Sequence, residues 1–211
     1  MVNVAPTRKE REKLVHRTEI LQAALNLFSS KGFHNVSMQD IAMESEFAVG
    51  TLYNFFQSKE QLFTELLNDC AEKIYQTLSP ILQSNLPENE KIRTYIRVHG
   101  KLAEDNIEFI KLYVSEYGIL TTVPGTATEK AEKIKAELLI ELENTIKAGI
   151  RKNILRCVDA RITTQSLSAT LQSFILESSK DFEKAKVEKE LAEIEKLFLD
   201  VLLMPEKHTN V

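Results

Sequence analysis

The stretch from Ile20 to Leu67 reads ILQAALNLFSSKGFHNVSMQDIAMESEFAVGTLYNFFQSKEQLFTELL. Its first part repeats apolar residues at helical spacing until Lys31-Gly32, and Ser37 and Ser58 stand where helix N-caps belong. Between these two serines, the segment 48–55 is too short to be a helix with a core of its own. The stretch therefore predicts three short helices and the start of a longer fourth.

The second and third of these helices, 37–44 and 48–55, are separated by a tight interruption. Small Ala42 allows the two helices to cross closely, and Phe47 and Leu52 can hold the later helix against the earlier one. Two short helices joined by a tight turn and braced by a preceding helix describe a helix-turn-helix, whose second helix enters the major groove of DNA. This pattern predicts a DNA-binding head over residues 18–58.

The same stretch resembles the N-terminal signature of the tetracycline-repressor (TetR) family of bacterial transcriptional regulators. The matching residues, which align without a gap, are Ala24, Leu27-Phe28, Lys31-Gly32-Phe33, Ser37, Asp40-Ile41-Ala42, Gly50-Thr51-Leu52-Tyr53, Phe56 and Ser58-Lys59-Glu60. A run of this length is far more specific than a single short motif. It covers only the first third of the chain.

The resemblance implies a set of DNA-contacting residues. They are Ser37, Val49, Gly50, Thr51, Tyr53, Asn54 and Lys59. Phosphate contacts are expected from Ser37, Tyr53 and Lys59, whereas Asn54 suits adenine, and Thr51 suits a phosphate, a base or a thymine methyl. Gly50 would let the helix approach base edges closely. Two alternatives remain open, because Tyr53 can instead brace helix 1 and Asn54 can be an ordinary surface residue.

Three positions depart from the family pattern. Glu46 stands where the family has a turn glycine, and a side chain in that left-handed conformation costs roughly 1 kcal/mol. Ala48 replaces the serine that caps the recognition helix, which costs about 1 kcal/mol. Val49 occupies a position where a lysine often contacts DNA. These departures affect the expected strength and preference of DNA binding more than the fold.

Composition places the chain among folded helical proteins. It has 211 residues, of which 43% are hydrophobic and 27% charged, with a net charge of −4. Residues 1–17 form a basic arm able to reach phosphates or a minor groove, although a solvated helix start has the same composition. No apolar run is long enough for a membrane span, and the two cysteines lack metal-ligand spacing. We expect a cytoplasmic protein with no membrane contact, no metal and no cofactor.

Residues 59–204 predict a larger helical body, followed by a frayed tail at 205–211. Helix 4 should run from Ser58 until Pro80 and link the head to the body mechanically, so that tilting it would move the recognition helix. Asp159 can cap helix 8, and Asp181 precedes helix 9, the last helix of the chain. The resemblance implies that these two helices pair with those of a second subunit. Helix 9 independently carries an apolar stripe, although an internal core face explains this stripe as well. Carboxylates over 183–195 alternate with lysines and are interpreted as a solvated face. The stripe comprises Val187, Leu191, Ile194, Phe198 and Val201, widened by Leu197 and Leu202.

A small-molecule site in the body would be lined by apolar and aromatic groups. The candidates are Tyr75, His99, Phe109, Tyr113, Tyr117, Leu138 and Phe174. Aromatic residues at helical spacing are more often ordinary core, and His99 fits a hydrogen-bonded core histidine better than a ligand-binding group. The effector, if bound here, should be apolar or aromatic in part.

The predicted fold is therefore all-α, with a three-helix helix-turn-helix head joined to a larger helical-bundle body for ligand binding and dimerisation. The function expected is a ligand-responsive repressor that binds a palindromic DNA operator as a homodimer. No phosphate loop, nucleophile elbow or His-x-x-x-His spacing indicates an enzyme. The alternative is a protein-binding adaptor of TetR fold that has lost operator binding, as Glu46, Ala48 and Val49 suggest. The sequence leaves open the operator, the effector and whether the protein represses or activates.

Overall fold

The computed structural model describes residues 7–115 and 129–203. These residues form nine α-helices and no strand, which confirms the prediction of an all-α fold. A short 3-10 helix, Phe33–Asn35, follows the first α-helix. The helices are α1 (Arg8–Lys31), α2 (Met38–Glu44), α3 (Val49–Phe55), α4 (Lys59–Gln83), α5 (Glu88–Asp105), α6 (Ile107–Ser115), α7 (Glu129–Arg151), α8 (Ala160–Ser178) and α9 (Lys184–Leu202).

The described residues divide into two compact units. The first contains residues 7–69 and 111–115, and the second contains Cys70–Ile110 and residues 129–203. The boundary between Asp69 and Cys70 falls inside α4, so this helix contributes to both units. The predicted tail at 205–211 and the helix break that the sequence Val123-Pro124-Gly125 indicates lie outside the described residues.

Helix α1 begins at Arg8, well before the start expected from the sequence. Its N-cap is Thr7, whose hydroxyl oxygen accepts from the Glu10 N–H at 3.3 Å, while Glu10 accepts from the Thr7 N–H at 2.7 Å. This reciprocal pair satisfies two backbone donors that would otherwise lack helical partners. Residues 8–17 of the predicted arm are therefore the first turns of a helix. Its end was predicted correctly at Lys31, where Gly32 takes a φ of 80°.

The core of the first unit is built from the faces that the helical spacing predicted. From α1 it contains Ile20 and Ala24, which are fully buried, together with Phe28. The Phe28, Phe33 and Phe63 rings form a triangle with centroid distances of 5.2, 5.0 and 6.1 Å. Each such aromatic pair stabilises by about 0.5–1.5 kcal/mol beyond its buried area. This triangle joins α1, the 3-10 helix and the start of α4.

Helix α4 does not end at Pro80, contrary to the sequence prediction. Pro80 lies inside the helix, which continues to Gln83. Proline in a helix interior costs about 3 kcal/mol because it removes one backbone hydrogen bond and crowds the preceding turn. Leu78 and Leu82 flank it, and both are buried in the core of the second unit. Burial of these two side chains favours continuing the helix past the proline and offsets the local penalty.

The second unit packs α5 against α9 and α7, and α7 against α8. Its core draws buried residues from every one of these helices, with Ile92 and Ile96 on α5 and Leu142 and Ile146 on α7 fully buried. Asp159 caps α8 as predicted, because its side chain accepts from the Ile162 N–H at 2.9 Å. The unit therefore has a hydrophobic core of its own.

The predicted solvated face of α9 is wrong at one residue. Glu195 is only 6% exposed. Its carboxylate accepts from Arg93 Nη1 at 2.6 Å and from Arg97 Nε at 2.5 Å, both on α5. Alternating charges along a helix cannot reveal which carboxylate a neighbouring helix will cover, so the sequence pattern does not distinguish Glu195 from its exposed neighbours.

Candidate DNA-binding site

Ser37 caps α2 through a reciprocal bond with Asp40. The Ser37 hydroxyl oxygen accepts from the Asp40 N–H at 3.2 Å, and Asp40 Oδ2 accepts from the Ser37 N–H at 2.8 Å and its hydroxyl at 2.5 Å. These bonds, first the one from the Ser37 hydroxyl, hold the pKa of the Asp40 carboxyl below its usual value. The predicted cap is present. The Ser37 hydroxyl proton is thereby engaged inside the protein.

The turn between α2 and α3 has the geometry that favours glycine. Glu46 takes a φ of 58°, in the left-handed region. The Glu46 N–H donates to Met43 O at 3.2 Å and the Phe47 N–H donates to Ala42 O at 3.0 Å, the two bonds of a Schellman helix end. A residue with a Cβ costs roughly 1 kcal/mol in this conformation. The turn therefore keeps its glycine-like shape although it contains glutamate.

Helix α3 begins without a side-chain cap. Ala48 has the extended backbone of an N-cap residue, with φ −64° and ψ 142°, but its methyl group accepts no hydrogen bond. The Thr51 N–H turns back to Ala48 O at 2.8 Å, which tightens the first turn. The missing cap agrees with the loss expected from the sequence.

One face of α3 is buried and the other is open. Leu52 is fully buried, whereas Gly50 and Asn54 are exposed on the opposite side and Tyr53 is 49% exposed beside them. A Cβ built on Gly50 would meet no other atom within 4 Å. Nothing described inside the protein therefore requires glycine at this position, although a helical glycine is costly. Val49 and Thr51, the remaining predicted contacts on α3, are half-buried at the edges of this open face.

Lys59 makes internal contacts that the sequence did not indicate. Its Nζ donates to Phe33 O at 2.8 Å and Val36 O at 2.7 Å, and lies 4.4 Å from the centroid of the Phe33 ring. Two of its three ammonium protons thus stabilise the connection between α1 and α2. Ser58 caps α4 by accepting from the Gln61 N–H at 3.2 Å, while the Gln61 side chain accepts from Gln57 instead of closing on Ser58.

We expect Lys59→Met to lower the free energy of unfolding by about 1–3 kcal/mol, because it leaves two carbonyl groups without their charged donor. Lys31→Met is the matched control, since Lys31 is exposed at the end of α1. Urea denaturation followed by circular dichroism measures both variants. Equal stability of the two would show that the internal contacts of Lys59 contribute little.

Arg17, the last residue of the predicted arm, is a second cation that is engaged internally. Arg17 donates to Glu65 Oε2 at 2.7 Å and to Asp69 Oδ2 at 3.1 Å, both on α4, and its guanidinium lies 5.8 Å from the Phe56 ring centroid. The arm residue Lys13 lies 6.0 Å from the centroid of Phe55, at the C-terminal end of α3. Arg17 therefore connects α1 to α4 through ion pairs, whereas Lys13 lies beside the C-terminal end of α3.

The predicted ligand-binding residues are distributed over several places. Tyr75 and Phe174 are half-buried against the core cluster that contains Leu138, and the Tyr75 hydroxyl donates to Glu141 Oε1 at 3.1 Å. Phe109 is half-buried at the start of α6. Tyr113 lies in α6, and Tyr117 is outside the described residues. Sequence reasoning missed Glu141 and Gln83, whose amide also donates to Glu141 Oε1 at 2.9 Å, because helical spacing does not reveal contacts between α4 and α7.

His99 is a hydrogen-bonded histidine, as the sequence suggested. Its Nδ1–H donates to the Tyr95 carbonyl one turn earlier, at 2.7 Å. Desolvation by the surrounding protein lowers the pKa of His99 to about 4, so the imidazole is neutral near pH 7. Its ring lies 4.9 Å from that of Tyr95. This arrangement stabilises α5 internally and leaves Nε2 without a proton.

Both cysteines lie in the described part of the chain. Cys70 is buried, as expected of a small hydrophobic residue, and Cys157 is exposed. In residues 7–115 and 129–203, no cluster of His, Cys, Asp or Glu could hold a metal ion. No helix in these same two segments has the length and apolar character needed to cross a membrane.

Comparison with known proteins agrees with this geometry. Residues 20–66 match the family model for bacterial regulatory proteins of the tetR family. The uncharacterised HTH-type transcriptional regulator YdgC of Bacillus subtilis is 25% identical over 170 residues, covering 78% of this chain and 84% of YdgC. The HTH-type transcriptional repressor KstR2 of Mycolicibacterium smegmatis is 28% identical over 130 residues, covering 59% of this chain and 63% of KstR2. The fatty acid degradation regulator FadR of Bacillus halodurans has the same fold, with a TM-score of 0.74, 20% identity and coverage of 87% of this chain and 94% of FadR.

The structure contains a helix-turn-helix, formed by the capped helix α2, the Schellman turn at Glu46 and the partly exposed helix α3. The relatives YdgC and KstR2 are described as HTH-type transcriptional regulators or repressors. Residues 20–66 therefore carry the N-terminal domain of the tetR family of bacterial regulatory proteins, as these residues predicted, and the chain is similar to transcriptional regulators over most of its length.

Proposed function

We propose that this regulator is a ligand-responsive repressor that binds a palindromic operator as a homodimer. The observation that carries the proposal is the open face of α3, where Gly50 and Asn54 are exposed and Gly50 has no internal reason to be glycine. The description of its relative KstR2 as a repressor supports repression. A repressor acts where the chromosome is, which for a bacterial protein is the cytoplasm.

The proposed DNA contacts come from exposed or half-buried side chains of the head (residues 18–58) and of the start of α4. Asn54 and Thr51 face base edges, and Val49 adds apolar contact at the start of α3. Tyr53, half exposed, contacts a phosphate through its hydroxyl. Lys59 retains one ammonium proton for a phosphate. Ser37 is exposed at the start of α2 and would donate its hydroxyl proton to a phosphate in exchange for its bond to Asp40. The basic first turns of α1 add electrostatic attraction to the duplex.

The homodimer is proposed to form through α8 and α9, within the body (residues 59–204). Helix α9 has one apolar face turned inward, where Val187, Leu191 and Leu199 are buried. A second apolar face is open, since Leu197 is 62% and Val201 57% exposed, and Ile162 on α8 is 54% exposed. An internal core explains the first face only. This exposed face could pack against the same face of a second subunit, because in a two-fold symmetric dimer the same surface patch of both subunits meets at the interface.

The effector is proposed to bind in the body, near Tyr75, Leu138 and Phe174, which share one apolar cluster. His99, Phe109, Tyr113 and Tyr117 complete the proposed ligand-binding set. Because α4 contributes to both structural units, a ligand that favours one position of α4 would alter the recognition helices. A hundredfold change in operator affinity requires about 2.7 kcal/mol of coupling.

Selection from a pool of random DNA duplexes tests the proposal. A dimeric repressor should enrich a two-fold symmetric motif whose half-sites are about 34–36 Å apart, or a multiple of that distance. Tyr53→Ala should weaken binding to all duplexes. If no motif is enriched even at low salt, the protein is a TetR-fold adaptor instead, a role consistent with Glu46, Ala48 and Val49.

We expect Gly50→Ala to stabilise the free protein while weakening its binding to DNA. The added methyl meets open space and removes the entropic cost of a helical glycine, which should raise the free energy of unfolding by about 0.5–1 kcal/mol. The same methyl group occupies the surface that approaches the bases, so operator affinity should fall by about tenfold or more. A tenfold loss corresponds to roughly 1.4 kcal/mol of binding free energy.

Thermal unfolding and fluorescence anisotropy with labelled operator measure the two effects of Gly50→Ala. Gly149→Ala is the contrasting control, because its Cβ would lie 2.6 Å from Leu155 Cδ1 and should destabilise the second unit instead. If Gly50→Ala bound the operator with unchanged affinity, the proposal that Gly50 provides clearance for DNA would be contradicted.

A further inference from the structure

The recognition helix has an unusual composition for a base-reading element. Its sequence, VGTLYNF, contains no lysine, arginine, aspartate or glutamate. Guanine is read most often by arginine or lysine, and cytosine by an acidic side chain that accepts from its amino group. Asparagine reads adenine through two hydrogen bonds, and methyl groups contact the thymine methyl. The side chains of α3 therefore suit A·T pairs.

The position of Asn54 on α3 strengthens this preference. Asn54 is exposed one turn after Gly50, on the side opposite buried Leu52. Side chains on a helix lean toward its N-terminus, so Asn54 extends over Gly50. The open space above Gly50 lets a base edge approach the Asn54 amide closely. Thr51 and Val49 then present methyl groups at the edges of the same face.

Two neighbouring cations of the first unit, Lys59 and Arg17, are committed to other contacts, whereas Lys13 lies beside Phe55 at the C-terminal end of α3. Lys59 donates to Phe33 O and Val36 O, and Arg17 donates to Glu65 and Asp69. Neither is available as a bidentate reader of guanine without losing these bonds. Direct readout by α3 therefore relies on its own uncharged side chains.

We propose that the centre of each operator half-site consists of A·T pairs, with Asn54 reading an adenine and Thr51 and Val49 contacting thymine methyl groups. This inference rests on the proposed operator binding and specifies its sequence chemistry. Asn54 determines the base at one position, and Gly50 provides the clearance that this contact needs. Phosphate contacts elsewhere contribute affinity without sequence preference.

The test begins with the motif enriched from random duplexes and continues with single-atom changes in the selected DNA. Replacing the proposed adenine by 7-deazaadenine removes the N7 acceptor, and replacing thymine by deoxyuridine removes the methyl group. We expect the first change to weaken binding of the intact protein about ten- to a hundredfold and the second to weaken it less. Asn54→Ala should bind the selected duplex about ten- to a hundredfold more weakly and lose its response to 7-deazaadenine.

Asn26→Ala is the matched control, because Asn26 is exposed on α1 and does not belong to the proposed set of DNA contacts. It should retain the affinity and the response to both modified bases, and both variants should unfold at the temperature of the intact protein. A selected half-site with G·C pairs at its centre, or an Asn54→Ala variant with an unchanged motif, would overturn the inference and leave the proposed operator binding intact. Enrichment of no motif at all would instead contradict the proposed function.

Discussion

Replacing Leu197 with glutamate is expected to convert the proposed homodimer to a monomer and to abolish binding to the proposed operator at concentrations where the intact protein is saturated. Leu197 is 62% exposed on α9, so the substitution leaves the internal core untouched. In a symmetric interface the change places two carboxylates close to each other and removes two leucines. The loss of one subunit then removes half of the base and phosphate contacts.

Sedimentation velocity and fluorescence anisotropy with labelled operator measure this result. Ile140→Glu is the matched control, because Ile140 is 58% exposed on α7 and lies outside the proposed interface. Circular dichroism should show the same helical content for both variants. If Leu197→Glu stays dimeric, the exposed face of α9 is not the dimer interface, although the DNA-binding head could still act through another pairing.

Replacing Glu195 with alanine is expected to lower the free energy of unfolding by about 3 kcal/mol. Breaking a buried ion pair typically costs 3–5 kcal/mol because one charge is left without its partner. The lower end applies here, since the Arg97 side chain is 62% exposed and stays hydrated, whereas that of Arg93 is 30% exposed. Glu195 connects α9 to α5, so the loss should affect the second unit.

Urea denaturation provides the measurement, with Glu193→Ala as the matched control on the same helix. Glu193 is exposed, so its loss should change the free energy of unfolding by less than about 0.5 kcal/mol. Combining Glu195→Met with Arg93→Met should recover part of the stability, because a well-packed apolar pair can replace a buried ion pair. Similar effects of Glu195→Ala and Glu193→Ala would indicate that Glu195 is more hydrated than its burial suggests.

The helix-turn-helix could be predicted from the sequence because its determinants are local. Ser37 and Asp40 are three residues apart, and the turn at Glu46 depends on bonds between residues only a few positions apart. Helical spacing likewise placed Leu52 inward and left Asn54 outward. Signals of this kind act within one or two turns of backbone, where a sequence pattern and its structure correspond closely.

Contacts between distant parts of the chain were decided only by the tertiary structure. Lys59 is bonded to carbonyls 23 and 26 residues earlier, and Glu195 to an arginine 102 residues earlier. The stripe predicted on α9 combined an inward face with an outward one, because periodicity records that residues are apolar but not which helix covers them. Pro80 is a second example. A proline is expected to end a helix, but burial of Leu78 and Leu82 on either side of Pro80 favours continuing α4 past it. Local caps and spacing thus determine where α2 and α3 form, whereas the end of α4 and the partner of each side chain depend on which helices pack together.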